Sequence, residues 1–226
     1  MNNDTPATSI PVVGKPWSIK ADTPLQAILD ASECPPLLRQ TLTNTLSWQT
    51  RNETPISKAL ISHRIAPQWV AALLALGATV TIREGDSSTE VPFETLTQRQ
   101  AEKKVSSLHI REKGVRWGEA RVARTPADEP IVAAIAAVKM DNDIVRQARV
   151  ALTGVWSKPV DLATAAAQLV GNPLNAEHIQ AVANAVEKEV TPKGDFLGSE
   201  EYRRAMAGVL TRRALAGCQR QEADNE

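Results

Sequence analysis

Residues 144–153 constrain this chain most, because they fix one element and dictate what must pair with it. Ile144, Ala148, Val150 and Leu152 fall on one side of a period-two pattern, with Gln147, Arg149 and Thr153 on the other. Such alternation marks a strand lying in a sheet. Asp141-Asn142-Asp143 stand immediately before it, and short polar residues that tolerate left-handed backbone suit a hairpin tip. The partner strand must then come from 130–140. Residues 131–138 are rich in alanine and do not alternate. Alanine by itself favours helix, but the tight turn and firm following strand favour a central strand buried on both faces. Further strands are expected at 105–111 and 115–122.

From Asp161 the apolar period becomes helical. Asp161 is expected to cap a helix ending at Gly171. Asn175 caps the next, whose Ile179, Val182, Ala183 and Val186 share one face. Ser199 caps a third, with Glu200 and Glu201 set favourably against the helix dipole. Arg203, Arg204, Arg212 and Arg213 read as a solvated face, and Gly217 as the stop. Antiparallel strands followed by three helices give an α+β architecture.

The 226 residues leave room upstream for a second, modest unit. The polar segment 1–9 reads as a disordered leader, and 10–19 as a short strand with turns. Thr23 and Pro24 read as an N-cap and first helical position, opening a helix to about residue 31. A second helix is expected over 37–46, and a loop around a short turn over 51–66. Residues 69–76 are apolar on every side, so a buried helix is expected, ended by Gly77 in a left-handed conformation. Residues 78–83 and 90–93 read as strands joined by a turn at 85–88. The polar stretch 95–104 suggests a boundary. The organisation expected is a leader (1–9), a first unit (10–98), a second unit (104–219) and a frayed tail (220–226).

Several function classes find no support. Lys+Arg and Asp+Glu number 26 each, so net charge is zero and there is no electrostatic case for nucleic acid or an anionic membrane. The longest apolar run, 69–82, is too short to span a bilayer and contains Gly77. With no signal-peptide pattern at the start, a cytoplasmic protein is expected. Cys34 and Cys218 lie at opposite ends and read as inert thiols. There is no glycine-rich phosphate loop, CxxC or HExxH, and His63, His109 and His178 are scattered. No catalytic or metal-ligating residue is singled out. Among five tryptophans, Trp69 and Trp117 read as core, while Trp48 and Trp156 adjoin loops and could anchor a partner.

The ordered set DNDIVRQARVALTGV, KPVDLATAAAQLVGNPL, a helix and GSEEYRRAMAGVLTRRAL resembles the C-terminal domain of the flavin (medium) subunit of the carbon monoxide dehydrogenase and xanthine dehydrogenase family. The likeness spans about 115–216. Upstream, PPLLRQTL, then Arg51-Asn52, then WVAALLALGATVTI, resembles the second part of that family's FAD-binding domain. The resemblance implies a partial FAD-binding α/β subdomain before the antiparallel sheet. It also implies FAD as cofactor, with a molybdopterin-binding large subunit and an iron–sulfur small subunit as partners. The cofactor-binding positions it implies are Arg51, Asn52, Ser57, Lys58 and Arg121.

The matching positions depart from the family pattern. Thr54-Pro55-Ile56-Ser57-Lys58 stand where the family has a glycine-rich GTVGG turn offering backbone N–H groups to the pyrophosphate. Pro55 has no N–H to offer. Arg64 stands where the family usually has an aspartate directed at the ribose side, and a cation accepts no hydroxyl hydrogen bond. The sequence also starts after the position of the family's first glycine loop. Three readings result: a truncated homologue with a degenerate flavin site that serves as scaffold or docking subunit; a working electron-transfer flavin subunit completed by another chain; and an interaction module without a redox role.

Overall fold

The structure, a computed structural model, describes residues 16–96, 105–111, 113–125 and 128–220. The expected leader, most of the polar boundary stretch and nearly all of the tail lie outside the described residues.

Two four-stranded antiparallel sheets organise the described residues. The first has the order β1-β4-β2-β3, built from β1 (Trp17–Lys20), β2 (Thr79–Glu84), β3 (Ser87–Pro92) and β4 (Val105–Ile110). The second runs β5-β6-β7-β8 through β5 (Val115–Val122), β6 (Val132–Asp141), β7 (Ile144–Thr153) and β8 (Val160–Leu162). Sequence grouped 105–111 with the second sheet, yet β4 pairs with β1 and β2. Its Leu108 and Ile110 point into the first core while Ser107 and His109 lie on the polar side, so the pleat fits that sheet.

The helix α5 (Pro67–Leu76) is buried along its whole length, as expected from its apolar circumference. It packs against α2 (Pro36–Thr45) and against β6, β7 and β8. Burying one leucine or tryptophan of this kind stabilises the fold by roughly 1.5–3 kcal/mol. Gly77 ends α5 at φ +65°, where a side chain would be strained. The β6 sequence shows why an alanine-rich run becomes a strand here. Ile135 and Ala137 face the α5 core, while Val132, Ala134, Ala136 and Val138 face a second core. Small residues on both faces let helices approach both sides of the sheet. Asn142, at φ +53°, turns the hairpin into β7.

The second core lies under α6 (Ala176–Glu189) and α7 (Glu200–Arg220). Asn175 caps α6 by accepting from the His178 N–H at 2.9 Å, and Ser199 caps α7 by accepting from the Tyr202 N–H. Several local expectations need correction. Asp161 lies in β8 opposite Leu152 rather than at a helix start. The turn that follows is a 3-10 helix (Thr164–Leu169), and Glu189 accepts from its first two N–H groups, Thr164 and Ala165. Gly217 sits inside α7, which continues to Arg220. The first helix α1 (Leu25–Asp30) has Pro24 rather than Thr23 at its N-cap. Residues 51–66 hold most of two short helices, α3 (Trp48–Glu53) and α4 (Ile56–Ile61), instead of a loop.

Candidate functional site

The segment 54–58, which carries the likeness to a phosphate-binding turn, is tied into the fold by its own backbone. Thr54 is buried, its C=O accepts from the Leu25 N–H at 2.9 Å, and Pro24 bridges to Pro55 in antiparallel fashion. Beyond Pro55 the chain turns into α4. The Ile56 N–H donates to Thr23 C=O at 2.9 Å and the Ser57 N–H to Ala21 C=O at 2.8 Å. The Lys58 and Ala59 N–H groups both donate to Pro55 C=O. The N–H groups of Ile56, Ser57, Lys58 and Ala59 are thus engaged within the chain, and Pro55 has none to offer a phosphate.

The other candidate residues divide by role. Arg51 is half-buried in α3, where Nε donates to Gln26 Oε1 at 2.8 Å and Nη1 to Leu46 C=O. A guanidinium at the C-terminal end of α2 meets carbonyls that lack helical partners, which suits its charge and geometry. Asn52 is exposed, and its Nδ2 donates to Trp48 C=O at 2.8 Å. The Lys58 side chain is exposed. Arg121, on β5, sends Nη1 to Asn44 C=O at 3.3 Å, so it meets the same end of α2 as Arg51. Ser57 and Lys58 sit apart from that meeting point, at the start of α4.

Beside Arg121, Glu119 Oε2 accepts from Gln40 Nε2 at 2.6 Å, while Oε1 is buried without a partner. Burial pushes this carboxyl above its ordinary value, partly offset by Arg121 and the Gln40 bond. Gln40–Glu119 and Asn44–Arg121 thus join α2 to the edge of the second sheet. Arg51 and Arg121, two of the residues offered by resemblance as cofactor contacts, here bond across elements.

A larger opening lies elsewhere. A cleft of about 460 Å³ is lined by Arg64 and Pro67 from the first unit, and by residues 129–131, 153–154 and 156–159, with Lys193, Asp195, Leu197 and Arg203, from the second. Of the family positions discussed above, Arg64 reaches it; Arg51, Asn52, Ser57, Lys58 and Arg121 do not. A smaller space beside it shares Arg64, Lys158 and Pro159 and adds His63. Burial pushes the His63 imidazole below its ordinary value, and the ring packs edge-on to Phe93.

Sequence reasoning placed Arg203 on a solvated helix face, and the structure corrects this. Arg203 is 5% exposed. Its Nη1 donates to Ile131 C=O at 2.8 Å and Gly154 C=O at 2.9 Å, and its Nη2 to both Asp195 oxygens at 2.7 Å. The sequence signal was faint: one of four arginines on the same helix, with two of its partners, Ile131 and Gly154, far upstream. Among the described residues no group of three or more His, Cys, Asp or Glu could hold a metal ion, and no helix is long and apolar enough to cross a membrane.

Residues 120–217 match the family described as CO dehydrogenase flavoprotein C-terminal domain. The chain is 30% identical over 202 residues to the uncharacterized protein YgfM of Escherichia coli K12, covering 89% of this chain and 72% of that one. It is 25% identical over 189 residues to the glyceraldehyde dehydrogenase medium chain of Sulfolobus acidocaldarius, covering 80% of this chain and 66% of that one. It therefore spans just under two-thirds of that relative's length. Among solved structures, a carbon monoxide dehydrogenase from Hydrogenophaga pseudoflava lacking the Mo-pyranopterin moiety shares the fold at a TM-score of 0.78 and 21% identity, over 92% of this chain and 76% of its own. Quinoline 2-oxidoreductase from Pseudomonas putida 86 does so at 0.71 and 22%, over 89% and 74%. With the ordered sheet, 3-10 turn and two helices all in place, the chain belongs to the family of FAD-binding medium subunits of molybdenum hydroxylases.

Proposed function

We propose that this chain is a flavoprotein-lineage subunit of a molybdopterin-dependent dehydrogenase complex that serves as scaffold and docking body, having lost flavin binding at its own 54–58 turn. One observation carries this reading: the N–H groups of Ile56, Ser57, Lys58 and Ala59 are all spent on carbonyls of the same chain. A pyrophosphate arriving there would have to break those bonds and would still meet Pro55 and side chains where its approach needs glycine. The residues present do not fit FAD at this position, so no electron-transfer step is derived through it. The partners of this reading are a molybdopterin-binding large subunit and an iron–sulfur small subunit, in a cytoplasmic setting. Purification of the native complex checks it. Flavin absorbance absent from a complex that contains this chain is the expected result; one flavin per chain sinks the proposal.

A second reading has one feature in its favour. Arg121, on β5, keeps a cation where the family places a lysine. In that reading another chain supplies the missing phosphate contacts. Flavin that appears only when a partner with a glycine-rich loop co-purifies would favour it over the scaffold.

A further inference from the structure

We propose that the cleft between Arg64 and the 153–159 segment is a binding site for a small organic anion, a flat ring carrying a phosphate or carboxylate. It is a different place from the 54–58 turn, and the inference does not rest on how that turn is read.

Four lining residues are cations (Arg64, Lys158, Lys193 and Arg203) and two are carboxylates (Glu129 and Asp195). Arg203 and Asp195 neutralise each other, and Lys158 has Asp161 at 2.8 Å. That leaves Arg64 and Lys193, both exposed, against Glu129. The balance favours an anion, and a cleft between low-dielectric walls strengthens that preference. The volume of about 460 Å³ is that of a small-molecule site.

The walls supply a second, independent indication. Thr153 is 3% exposed and its hydroxyl has no hydrogen-bond partner; the Trp156 indole N–H is likewise buried and unpaired. Buried polar groups are nearly always paired, so two orphan donors just behind the lining of one opening, on residues that form it, call for an acceptor. An oxyanion is such an acceptor. Both atoms are closed off from the cleft, so reaching them requires the Trp156 ring to shift on its loop. Trp156, with Pro67, Pro130 and Pro159, also supplies apolar surface for a ring.

The third indication is the support beneath the cleft. Arg203 is bonded to Ile131, Gly154 and Asp195, and all three belong to the lining. One buried guanidinium therefore fixes three separate chain segments that shape the opening. Such bracing is what a site needs in order to hold its geometry.

The test uses the full chain and four probes: AMP, benzoate, inorganic phosphate and FAD. Binding is read by calorimetry and by tryptophan fluorescence, with Trp156→Phe assigning the optical signal. Saturable binding of AMP or benzoate is expected, and which of the two binds distinguishes phosphate from carboxylate. Arg64→Gln and Lys193→Gln should each weaken it about tenfold, as for loss of a charge-assisted contact. Thr153→Val should weaken it without loss of stability, and Arg146→Gln, which removes a distant exposed cation, should leave it unchanged. No saturation with any probe overturns the inference, as does binding that Arg64→Gln and Lys193→Gln leave intact. Response to inorganic phosphate alone also overturns it, reducing the cleft to an adventitious ion only. FAD binding that survives Arg64→Gln would count against the scaffold reading above while leaving the cleft to the other probes.

Discussion

Arg203 and Asp195 face each other across the turn that leads into α7, with one guanidinium nitrogen 2.7 Å from both carboxylate oxygens. The other side of the same guanidinium holds Ile131 and Gly154, so a single side chain joins the start of β6, the end of β7 and the approach to the helix. Lysine cannot copy this planar fork. Arg203→Lys should therefore lower stability by about 2–4 kcal/mol through carbonyls left unsatisfied, measured by urea denaturation. The acid limb carries a second signature. The Arg203 bond, then the Leu197 N–H, holds the Asp195 carboxyl below its ordinary value. A depressed folded pKa contributes stability that is complete above the ordinary carboxylate value and lost as pH falls through the folded one. Asp195→Asn should flatten that part of the stability profile; an unchanged acid limb would show that the pair contributes nothing there.

Gly118 and Gly217 mark where α7 lies directly on β5. A Cβ on Gly118 would stand 2.0 Å from Ala214 C=O and 3.1 Å from the Gly217 Cα. The first is a clash with backbone, which cannot swing aside, so helix and strand would have to separate. Gly118→Ala should cost about 3 kcal/mol, as for overpacking in a closed core. Gly217→Ala meets its nearest neighbour at 3.1 Å and should cost less. Melting temperatures of the two variants test the order as well as the size.

What the sequence reveals follows from how local each cause is. The β7 alternation, the Asn142 tip, the Asn175 and Ser199 caps and the Gly77 stop all depend on neighbours within a few residues, and each appears where expected. Gly217 misleads because glycine there serves contact with a strand about a hundred residues away in sequence, not a helix end. Asp161 misleads for a similar reason: the 3-10 turn after it is capped by Glu189 of α6, distant in sequence. The site shows the same division. Pro55 and the missing glycines are visible locally, whereas the capture of the Ile56 and Ser57 N–H groups by Thr23 and Ala21 depends on how α1 folds back. The Arg64 cleft assembles from five stretches of chain and leaves no pattern in any one of them.

Glu119 is a carboxylate held where its charge is unwelcome. Because burial raises its folded pKa, the group favours the fold below the ordinary carboxylate value and loses that contribution as pH rises through the folded one. Glu119→Gln keeps an acceptor for Gln40 and removes the charge. At neutral pH the variant should melt higher by about 2 °C, and the advantage should vanish below the carboxylate range. A lower melting temperature at neutral pH would mean that attraction to Arg121 outweighs burial.

Arg51 and Lys58 separate structure from binding within the set that resemblance nominates. Arg51 is half-buried, with bonds to Gln26 and to the end of α2, while the Lys58 side chain is exposed. If these residues now serve the fold, Arg51→Ala should lower stability by about 1–3 kcal/mol, the size expected when buried acceptors lose a charged donor. Lys58→Ala should change it by less than about 0.5 kcal/mol, as for an ordinary surface site. Equilibrium unfolding gives both values, and flavin titration of each variant gives the contrast. A cofactor site would differ in the flavin titration, with Lys58→Ala silent in unfolding yet decisive for flavin retention. Should wild-type protein retain flavin and Lys58→Ala lose it, the backbone bonds of Ile56 and Ser57 must yield to phosphate on binding, and the turn would be a closed form of a working site.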